Sequence, residues 1–569
     1  MPQRKPVGRL QGSFIVVSSA IFFAAIWSCS LGEQLPSEAW FCGCVAVLLA
    51  AVFAGVTRRI GFSLLLSAAL LFALLTTSAA KTQYLGTPLF VPDLQYFSNR
   101  ETLAVVAQYP EIWHNALTGV LAAVFVLILT WCFERPLGVD TTRRKRWSAQ
   151  VFALLLAIGG LFAVFAPDGP FKILMVDNPW GLMVAASPTT SFLLSIHHMR
   201  VIVPQPDPAA ADRYEWAPVQ PVIAAKKPAP DIVVVLEEST FDPHTLSFCT
   251  IPQCDAQMFR DDAQTNAHGA LRVHAWGGGT WTSEFAFLTG LPTPMFGPSG
   301  IYAPYNLAPR ISYSLPRLLK TQGYRNIAIY PLDGNFVNAR HAYNAYGFDE
   351  FYDNNIFHFA WVSTDLDVER EFEKIYRGER AKTDQPLFFM ILTMRQHGPH
   401  NDALEKLAAP FNHALFASLD ETRNRNMSNY LARLHGSDEA LAAMQKTLFS
   451  GSRPAVLVHF GDHQPSFDGL MLKIERTAAA KALGDPYTVT YYKIDGSSAD
   501  SPRFSYPTLD LGFLAGLIID VAGLPEGAFF QANALMRQRC GGRYLDCKDK
   551  DLLESYQSHL FNRLHVIGR

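Results

Sequence analysis

The sequence predicts an N-terminal α-helical transmembrane bundle of five spans, followed by an external α/β domain. That domain is expected to have a central, mainly parallel sheet sandwiched by helices. Three observations carry the expectation. The first third of the 569-residue chain holds five long apolar stretches and few charges. A proline-rich stretch then separates this region from the rest. Beyond it, short apolar runs rich in β-branched residues alternate with helical patterns, as in a sheet covered on both faces.

Length alone points to three or four units. Lys and Arg total 48 against 50 Asp and Glu, a net charge of −2. Nothing in that balance indicates nucleic acid as a partner. Charged residues make up 17% of the chain, against roughly 25% in soluble domains. The deficit is concentrated in the first third.

The apolar stretches run from Ser13 to Leu31, Ala39 to Val56, Ile60 to Ala80, Ala116 to Phe133 and Val151 to Phe165. A helix needs roughly 17–25 residues to cross a bilayer. The fifth stretch is short unless it borrows residues from its N-terminal flank. The first resembles a signal peptide, but four more spans follow with no processing pattern, so it is read as retained. Arg4, Lys5 and Arg9, then Arg58 and Arg59, then Arg135, Arg143, Arg144, Lys145 and Arg146 fall on one side of a five-span arrangement. That side is expected to be cytoplasmic. The expectation is a multi-pass protein of the cytoplasmic (inner) membrane, with its N-terminus in the cytoplasm and its large C-terminal domain periplasmic or extracellular.

Cysteine usage agrees. Cys29, Cys42, Cys44 and Cys132 lie in the spans and read as packing thiols. The other four form two close pairs, Cys249 with Cys254 and Cys540 with Cys547. Disulfides suit an oxidising compartment. A metal site competes, but neither pair has C-x-x-C spacing or a nearby Cys/His complement.

The domains are therefore expected at 1–167 (five spans), 168–230 (interfacial segment and linker) and 231–569 (catalytic domain). Between the third and fourth spans, Lys81 to His114 carries Tyr84, Phe90, Tyr96, Phe97 and Trp113, which suit a membrane interface. Asp168 to Ile202 reads as a surface-lying segment anchored by Trp180, Phe192 and Leu193. Val203 to Pro230 contains seven prolines, from Pro204 to Pro230, and reads as a semi-rigid linker. Asp231 then opens a buried strand that ends at Glu237-Glu238-Ser239-Thr240. Asn326 to Tyr330, Pro386 to Thr393 and Ala455 to His459 are similar strands. Ser314 to Gln322 and Asn429 to Phe449 are helical, and Asp549 to Leu564 reads as a peripheral helix.

The chemistry gathers around Gly277-Gly278-Gly279-Thr280-Trp281-Thr282-Ser283-Glu284-Phe285. A glycine run delivers a hydroxyl to the start of an apolar helix. A threonine there caps the helix or acts as a nucleophile, because the unpaired N–H groups and the dipole favour negative charge. Three apolar strands end in Glu238, in Met394-Arg395-Gln396-His397-Gly398-Pro399-His400 and in Phe460-Gly461-Asp462-His463. If parallel, they bring these groups to one sheet edge, where α/β folds place their sites. Alone, each group has a plainer reading as a helix cap, a turn or a loop histidine. Together, Glu238, Thr280, Asp462 and His463 make a set of donors for one divalent ion, Mn²⁺ or Zn²⁺. Coordination would let Thr280 ionise near neutral pH.

These pieces resemble the alkaline-phosphatase superfamily (sulfatase-like fold), and most of all its membrane-anchored lipoteichoic acid synthase and phosphoglycerol transferase branch. Leu236-Glu237-Glu238-Ser239, Gly279-Thr280 through Phe285, Met394 to Pro399 and Phe460 to His463 carry the resemblance. The helix from Asn429 to Asp438 is similar as well. The resemblance implies that Glu238, Thr280, Asp462 and His463 bind the metal, with Thr280 as nucleophile and Glu238 preferred to Glu237. It implies that His397 contacts the phosphate or protonates the leaving group. Trp361, followed by Asp365, is similar to a substrate-contacting segment, and a structural aromatic is the competing reading. Arg395 and His400, in the same motif as His397, are the remaining substrate-binding candidates. Trp281 and Thr282 depart from the family pattern, and Thr282 is a rival nucleophile. Cys249 to Asp261 reads as a disulfide-pinned surface insertion.

The implied function is transfer of a phospholipid head group to an extracytoplasmic glycan, lipid or polymer. Phosphoglycerol from phosphatidylglycerol is favoured, and phosphoethanolamine from phosphatidylethanolamine is the alternative. A sulfatase would need a C/S-x-P-x-R nucleophile motif, which Cys249-Thr-Ile-Pro-Gln does not supply. A two-metal phosphatase would need a second ligand set. A non-catalytic membrane scaffold would be expected to have lost part of the Glu, Thr, Asp and His set.

Overall fold

The structure is a computed structural model. It describes residues 7–85, 87–138, 141–175, 187–197, 201–216, 228–361, 363–467, 469–498 and 501–568. The chain divides into two compact units, Met1–Met199 and Arg200–Arg569.

The first unit contains five helices long and apolar enough to cross a membrane. They are α1 (Val7–Gly32), α2 (Pro36–Thr57), α3 (Ile60–Leu85), and two further helices at Pro110–Phe133 and Arg143–Phe165. The fifth reaches full length by running back through the basic flank to Arg143. A bent apolar pair, Leu511–Ala522 with Gly527–Arg539, also passes by length and composition. It belongs to the second unit, where Arg537 is buried in an ion pair with Asp520.

Polar groups in the first unit serve helix ends. Glu134 accepts the N–H groups of Gly61 and Phe62, both at 2.8 Å, and so satisfies donors that α3 leaves open at its N-terminus. Glu38 does the same for α2, accepting from Leu35 N at 2.9 Å and from Ser187 Oγ at 2.6 Å. The 81–114 connection is partly helical, at Val91–Tyr96 and Arg100–Val106. Its Lys81 and Asp93 form a buried ion pair at 2.7 Å. Phe192 and Leu193 lie in the helix Pro188–Leu194. Trp180 lies outside the described residues.

The second unit is built on one eight-stranded sheet. Its strands are β1 (Asp231–Glu237), β2 (Thr265–Arg272), β3 (Arg325–Ile329), β4 (Glu350–Tyr352), β5 (Leu387–Leu392), β6 (Ala455–Gly461), β7 (Val489–Gly496) and β8 (Thr508–Asp510). The order is β4-β3-β5-β1-β6-β7-β2-β8. The five strands from β4 to β6 are parallel to one another. β7 runs antiparallel to both β6 and β2. β2, β4, β7 and β8 carry too many polar or small residues to stand out as apolar runs.

β1 is central, and every residue in it is buried. Its neighbours are in register, with Leu236 opposite both Leu392 of β5 and Phe460 of β6. At its foot, Asp231 Oδ1 accepts the Leu387 N–H at 2.9 Å and lies 3.1 Å from Arg453 Nε. Asp231 Oδ2 accepts from the Tyr376 hydroxyl at 2.9 Å. One carboxylate thus ties the starts of three strands together. At the other end the chains approach closely. A Cβ on Gly461 would lie 1.8 Å from the Thr240 carbonyl oxygen, so only glycine fits there.

The helix Glu421–Phe449 covers one sheet face, starting from an Asp420 side chain that accepts the Arg423 N–H at 2.8 Å. Both expected cysteine pairs are bonded. The segment around Cys249–Cys254 differs from the surface insertion expected. Cys249 and Cys254 are buried in the core, and Asp438 of the long helix accepts the N–H groups of Gln257 and Met258 at 3.0 and 2.7 Å. Part of the proline-rich stretch is also folded. Trp216 packs on Tyr556 of the helix Lys550–Ser558, and its Nε1 donates to Ser555 Oγ at 3.1 Å.

Arg380 Nε also lies 3.8 Å from Asp231 Oδ2, so replacing Asp231 with alanine would leave both Arg453 and Arg380 without their buried partner. The expected cost is about 3 kcal/mol, read as a lower unfolding temperature of the full chain, with Asp231→Asn closer to wild type.

Candidate active site

The parallel register of β5, β1 and β6 brings their C-terminal ends to one edge. Glu238 follows β1 directly, and Asp462 and His463 follow β6 directly. Between them stands Thr280, the first residue of the helix Thr280–Thr289. Gly279 is its N-cap, in a left-handed conformation (φ 93°) that a side chain would disfavour.

Four of the expected residues meet. Thr280 Oγ1 donates to Glu238 Oε2 at 2.6 Å and lies 3.4 Å from His463 Nε2. His463 Nε2 is 3.3 Å from Glu238 Oε1 and 3.3 Å from Asp462 Oδ2. Glu238, Asp462 and His463 are all buried. The backbone fixes them. Ser239, in the left-handed region at φ 54°, turns its N–H to Asp462 Oδ1 at 2.8 Å and its hydroxyl to Glu238 Oε1 at 3.0 Å. A residue with a side chain in that region is strained, and such strain clusters where a site must be shaped. His463 Nδ1 faces the Gln464 carbonyl at 3.0 Å, which leaves Nε2 for the site.

The electrostatics are those of a crowded anionic pocket. Burial pushes the Asp462 carboxyl up, and the nearby Glu238 charge adds to it. Burial works against Glu238 as well, but His463 and the hydrogen bonds outweigh it and hold Glu238 below the usual range. Burial also opposes charge on His463, yet the two carboxylates raise it to about 9. Asp462 Oδ2 is buried and accepts no hydrogen bond. Two carboxylates and an imidazole nitrogen within 4.8 Å of one another, with one oxygen unclaimed, fit a divalent cation.

Two neighbours separate from this group. Glu237 accepts from Thr393 Oγ1 at 2.9 Å, and burial, then the Asp365 charge, push its carboxyl well above the usual range. Thr282 donates its hydroxyl to the Gly279 carbonyl at 2.7 Å and is buried inside the helix turn.

The other candidates are spread along the loop after β5. His397 is half-buried, with Nδ1 2.9 Å from the Gly398 carbonyl. The Trp361 ring meets it edge-on at 4.8 Å, and Trp361 Nε1 donates to the Gly398 carbonyl at 3.3 Å. His400 is buried against Phe467 and Tyr430, and burial lowers its pKa well below the ordinary value. The Arg395 N–H donates to Asp365 Oδ1 at 3.3 Å. His400 Nε2, buried against Phe467 and Tyr430, makes no hydrogen bond to the Thr280 group among the described residues.

Sequence reasoning did not single out Glu284. It is buried one helical turn beyond Thr280, and burial raises it to about 8, with Asp462 and Glu238 adding to the shift. A carboxyl on an otherwise apolar helix was the available signal. Ser283, also missed, donates its hydroxyl to the Asp462 carbonyl at 2.7 Å and joins the helix to the β6 end.

Comparison with known proteins follows the same region. An uncharacterized protein of Haemophilus influenzae is 32% identical over 353 residues, covering 59% of this chain and 62% of that protein. The match thus spans less than two thirds of that relative's length. A putative cyclic β-1,2-glucan modification protein of Rhizobium meliloti is 24% identical over 471 residues, covering 78% of this chain and 71% of that protein. Among solved structures, the Streptococcus pyogenes phosphoglycerol transferase GacH in complex with sn-glycerol-1-phosphate aligns at 18% identity. Its TM-score is 0.48, over 59% of this chain and 87% of that one. The sulfatase family profile matches residues 230–492. That match opens one residue before β1 and runs into β7, taking in all three strands that end at the site, so the second unit of this chain carries a sulfatase-family domain.

Proposed function

We propose that this protein transfers a phospholipid head group, phosphoglycerol in the first instance, to an extracytoplasmic acceptor through a phosphothreonine at Thr280. The observation that carries the reading is the Thr280 hydroxyl, bonded to Glu238 at a helix N-terminus beside His463 and Asp462. A sulfatase-family fold does not by itself make a sulfatase. The hydroxyl at the helix start here belongs to threonine, without the C/S-x-P-x-R pattern a sulfatase needs.

Glu238, Asp462, His463 and Thr280 Oγ1 would hold one Mn²⁺ or Zn²⁺. When bound, such an ion lowers the pKa of a hydroxyl and offsets charge on a phosphoryl group. In the first step Thr280 Oγ attacks the phosphorus of the lipid phosphodiester, and its proton passes toward Glu238 Oε2. The bond to the diacylglycerol oxygen breaks. His397, whose Nδ1 is turned to the Gly398 carbonyl, offers Nε2 to protonate that oxygen. The start of the helix Thr280–Thr289 favours the phosphoryl charge through its dipole. In the second step an acceptor hydroxyl attacks the phosphothreonine and passes its proton to His397, while the bond to Thr280 Oγ1 breaks and that oxygen recovers its proton from Glu238. Trp361, edge-on to His397, is suited to bound the head-group side of the pocket.

A lipid donor accounts for the five membrane helices in the same chain. The basic loops favour a cytoplasmic N-terminus and a catalytic domain on the other side. The R. meliloti relative, a putative cyclic β-1,2-glucan modification protein, favours a glycan as acceptor.

Incubation with phosphatidylglycerol or phosphatidylethanolamine and a glucan acceptor, followed by mass spectrometry of the products, tests the reading. Phosphoglycerol on the glucan with diacylglycerol released is the expected result. Phosphoethanolamine on the glucan would reassign the donor, and sulfate ester hydrolysis without either transfer would overturn the proposal. Thr280→Ala is expected to abolish transfer in a folded, inserted protein. Asp462→Asn is expected to lower the bound divalent ion measured by elemental analysis and to cut transfer at least about 100-fold, as loss of a group acting mainly in the transition state does.

A further inference from the structure

A second group of metal-ligating side chains converges in the first unit. Cys29 stands in the last turns of α1, Glu33 follows one turn later, and Cys42 comes from α2. One ligand atom from each lies within 4.8 Å of the other two. Cys29 and Cys42 are both buried.

The helix Pro188–Leu194 closes the group. Glu33 Oε1 accepts the N–H groups of Thr189 and Thr190 at 3.0 and 3.4 Å. Thr189 Oγ1 lies 2.8 Å from Cys29 Sγ, and Thr190 Oγ1 lies 3.3 Å from Cys42 Sγ. The second Glu33 oxygen, Oε2, is buried and has no hydrogen-bond partner.

Each feature suits a cation. Hydroxyls beside both sulfurs can donate to them and favour the thiolate, as groups around a metal-bound thiolate do. The backbone bonds to Oε1 fix the Glu33 carboxylate and leave Oε2 buried without a partner. Two thiolates and a carboxylate in a water-poor place repel one another unless a positive charge joins them. Two sulfur donors and one oxygen suit Zn²⁺, which prefers soft and borderline ligands in fourfold coordination. A disulfide explains less. Both sulfurs stand as free thiols while the two pairs in the second unit are bonded. A disulfide would also leave Glu33 Oε2 buried with nothing to bind.

We propose that Cys29, Glu33 and Cys42 form a Zn²⁺ site that ties the α1–α2 hairpin to the helix Pro188–Leu194. The site is separate from the Thr280 group and contains sulfur, which that group lacks. It gives Cys29 and Cys42 a role beyond packing.

The difference in ligands supplies the test. The full-length chain is purified in detergent and loaded with Co²⁺. Thiolate-to-Co²⁺ charge-transfer absorption is expected in the wild type and in Asp462→Asn, and is expected to vanish in Cys29→Ser/Cys42→Ser. Zinc content should fall by one equivalent per chain in the same double variant. Should that variant fail to fold, wild-type protein is alkylated with and without a chelator and peptide-mapped. Cys29 and Cys42 should be protected until the chelator is added. The proposal is overturned by absence of the charge-transfer band, by labelling that the chelator leaves unchanged, or by a Cys29–Cys42 disulfide in the mapped peptides. The band does not depend on the Thr280 site, so it reports on this cluster even if that site binds no metal.

Discussion

β1 is held by parallel partners on both sides and fastened at both ends by different chemistry. At the foot, Asp231 binds the Leu387 N–H, the Tyr376 hydroxyl and the Arg453 guanidinium. At the top, Gly461 lets β6 approach within reach of Thr240. Between these points Ile232 to Leu236 are fully buried. Burial of side chains of this size contributes roughly 1.5–3 kcal/mol each, as an upper estimate. A slip of one residue would part Asp231 from the Leu387 N–H and the buried Glu237 carboxyl from the Thr393 hydroxyl, leaving buried polar groups unpaired. The register is therefore rigid, and the heights of Glu238, Asp462 and His463 follow from it.

The same register creates an electrostatic problem that function can use. Two buried carboxylates face each other across a histidine, and burial, then the Glu238 charge, raise the Asp462 carboxyl. Hydrogen bonds from Ser239 orient both acids but do not neutralise them. A cation held there would resolve the conflict and at the same time act on the Thr280 hydroxyl. The group is buried and its backbone strained at Ser239, so the fold maintains it against a local cost. The Cys29, Glu33 and Cys42 group follows a similar logic with softer atoms.

The parts of the fold that the sequence disclosed are those whose physics is local. Long apolar runs disclosed the five spans, and β-branched apolar runs disclosed β1, β3, β5 and β6, because strands covered on both faces lack polar residues. β7 escaped because Thr490, Lys493 and Asp495 are buried by pairing, as in the Lys493–Asp495 contact at 3.3 Å. β2 escaped because it is only partly covered, with His268 exposed and Gly269 half-buried in its middle, so it forms no apolar run. At the site, strand-end residues were legible because a carboxylate ending an apolar strand is conspicuous. The preference for Glu238 over Glu237 came from the resemblance, and the sheet supplies its physical side by turning Glu237 to Thr393 and Glu238 to Thr280. His400 shares a motif with His397 but is buried between Phe467 and Tyr430, which spacing alone does not reveal. The Cys249 to Cys254 segment looked like a surface insertion because its partner, Asp438, lies far away in sequence.

Covalent chemistry at Thr280 is the centre of this reading, and trapping it is the most direct measurement. The full-length protein is mixed with phosphatidylglycerol without acceptor, quenched in acid and digested for peptide mass spectrometry. A phosphoglycerol adduct on Thr280, discharged when acceptor is added before quenching, is the expected result. Turnover with no adduct on Thr280, or an adduct on Thr282 instead, would contradict it.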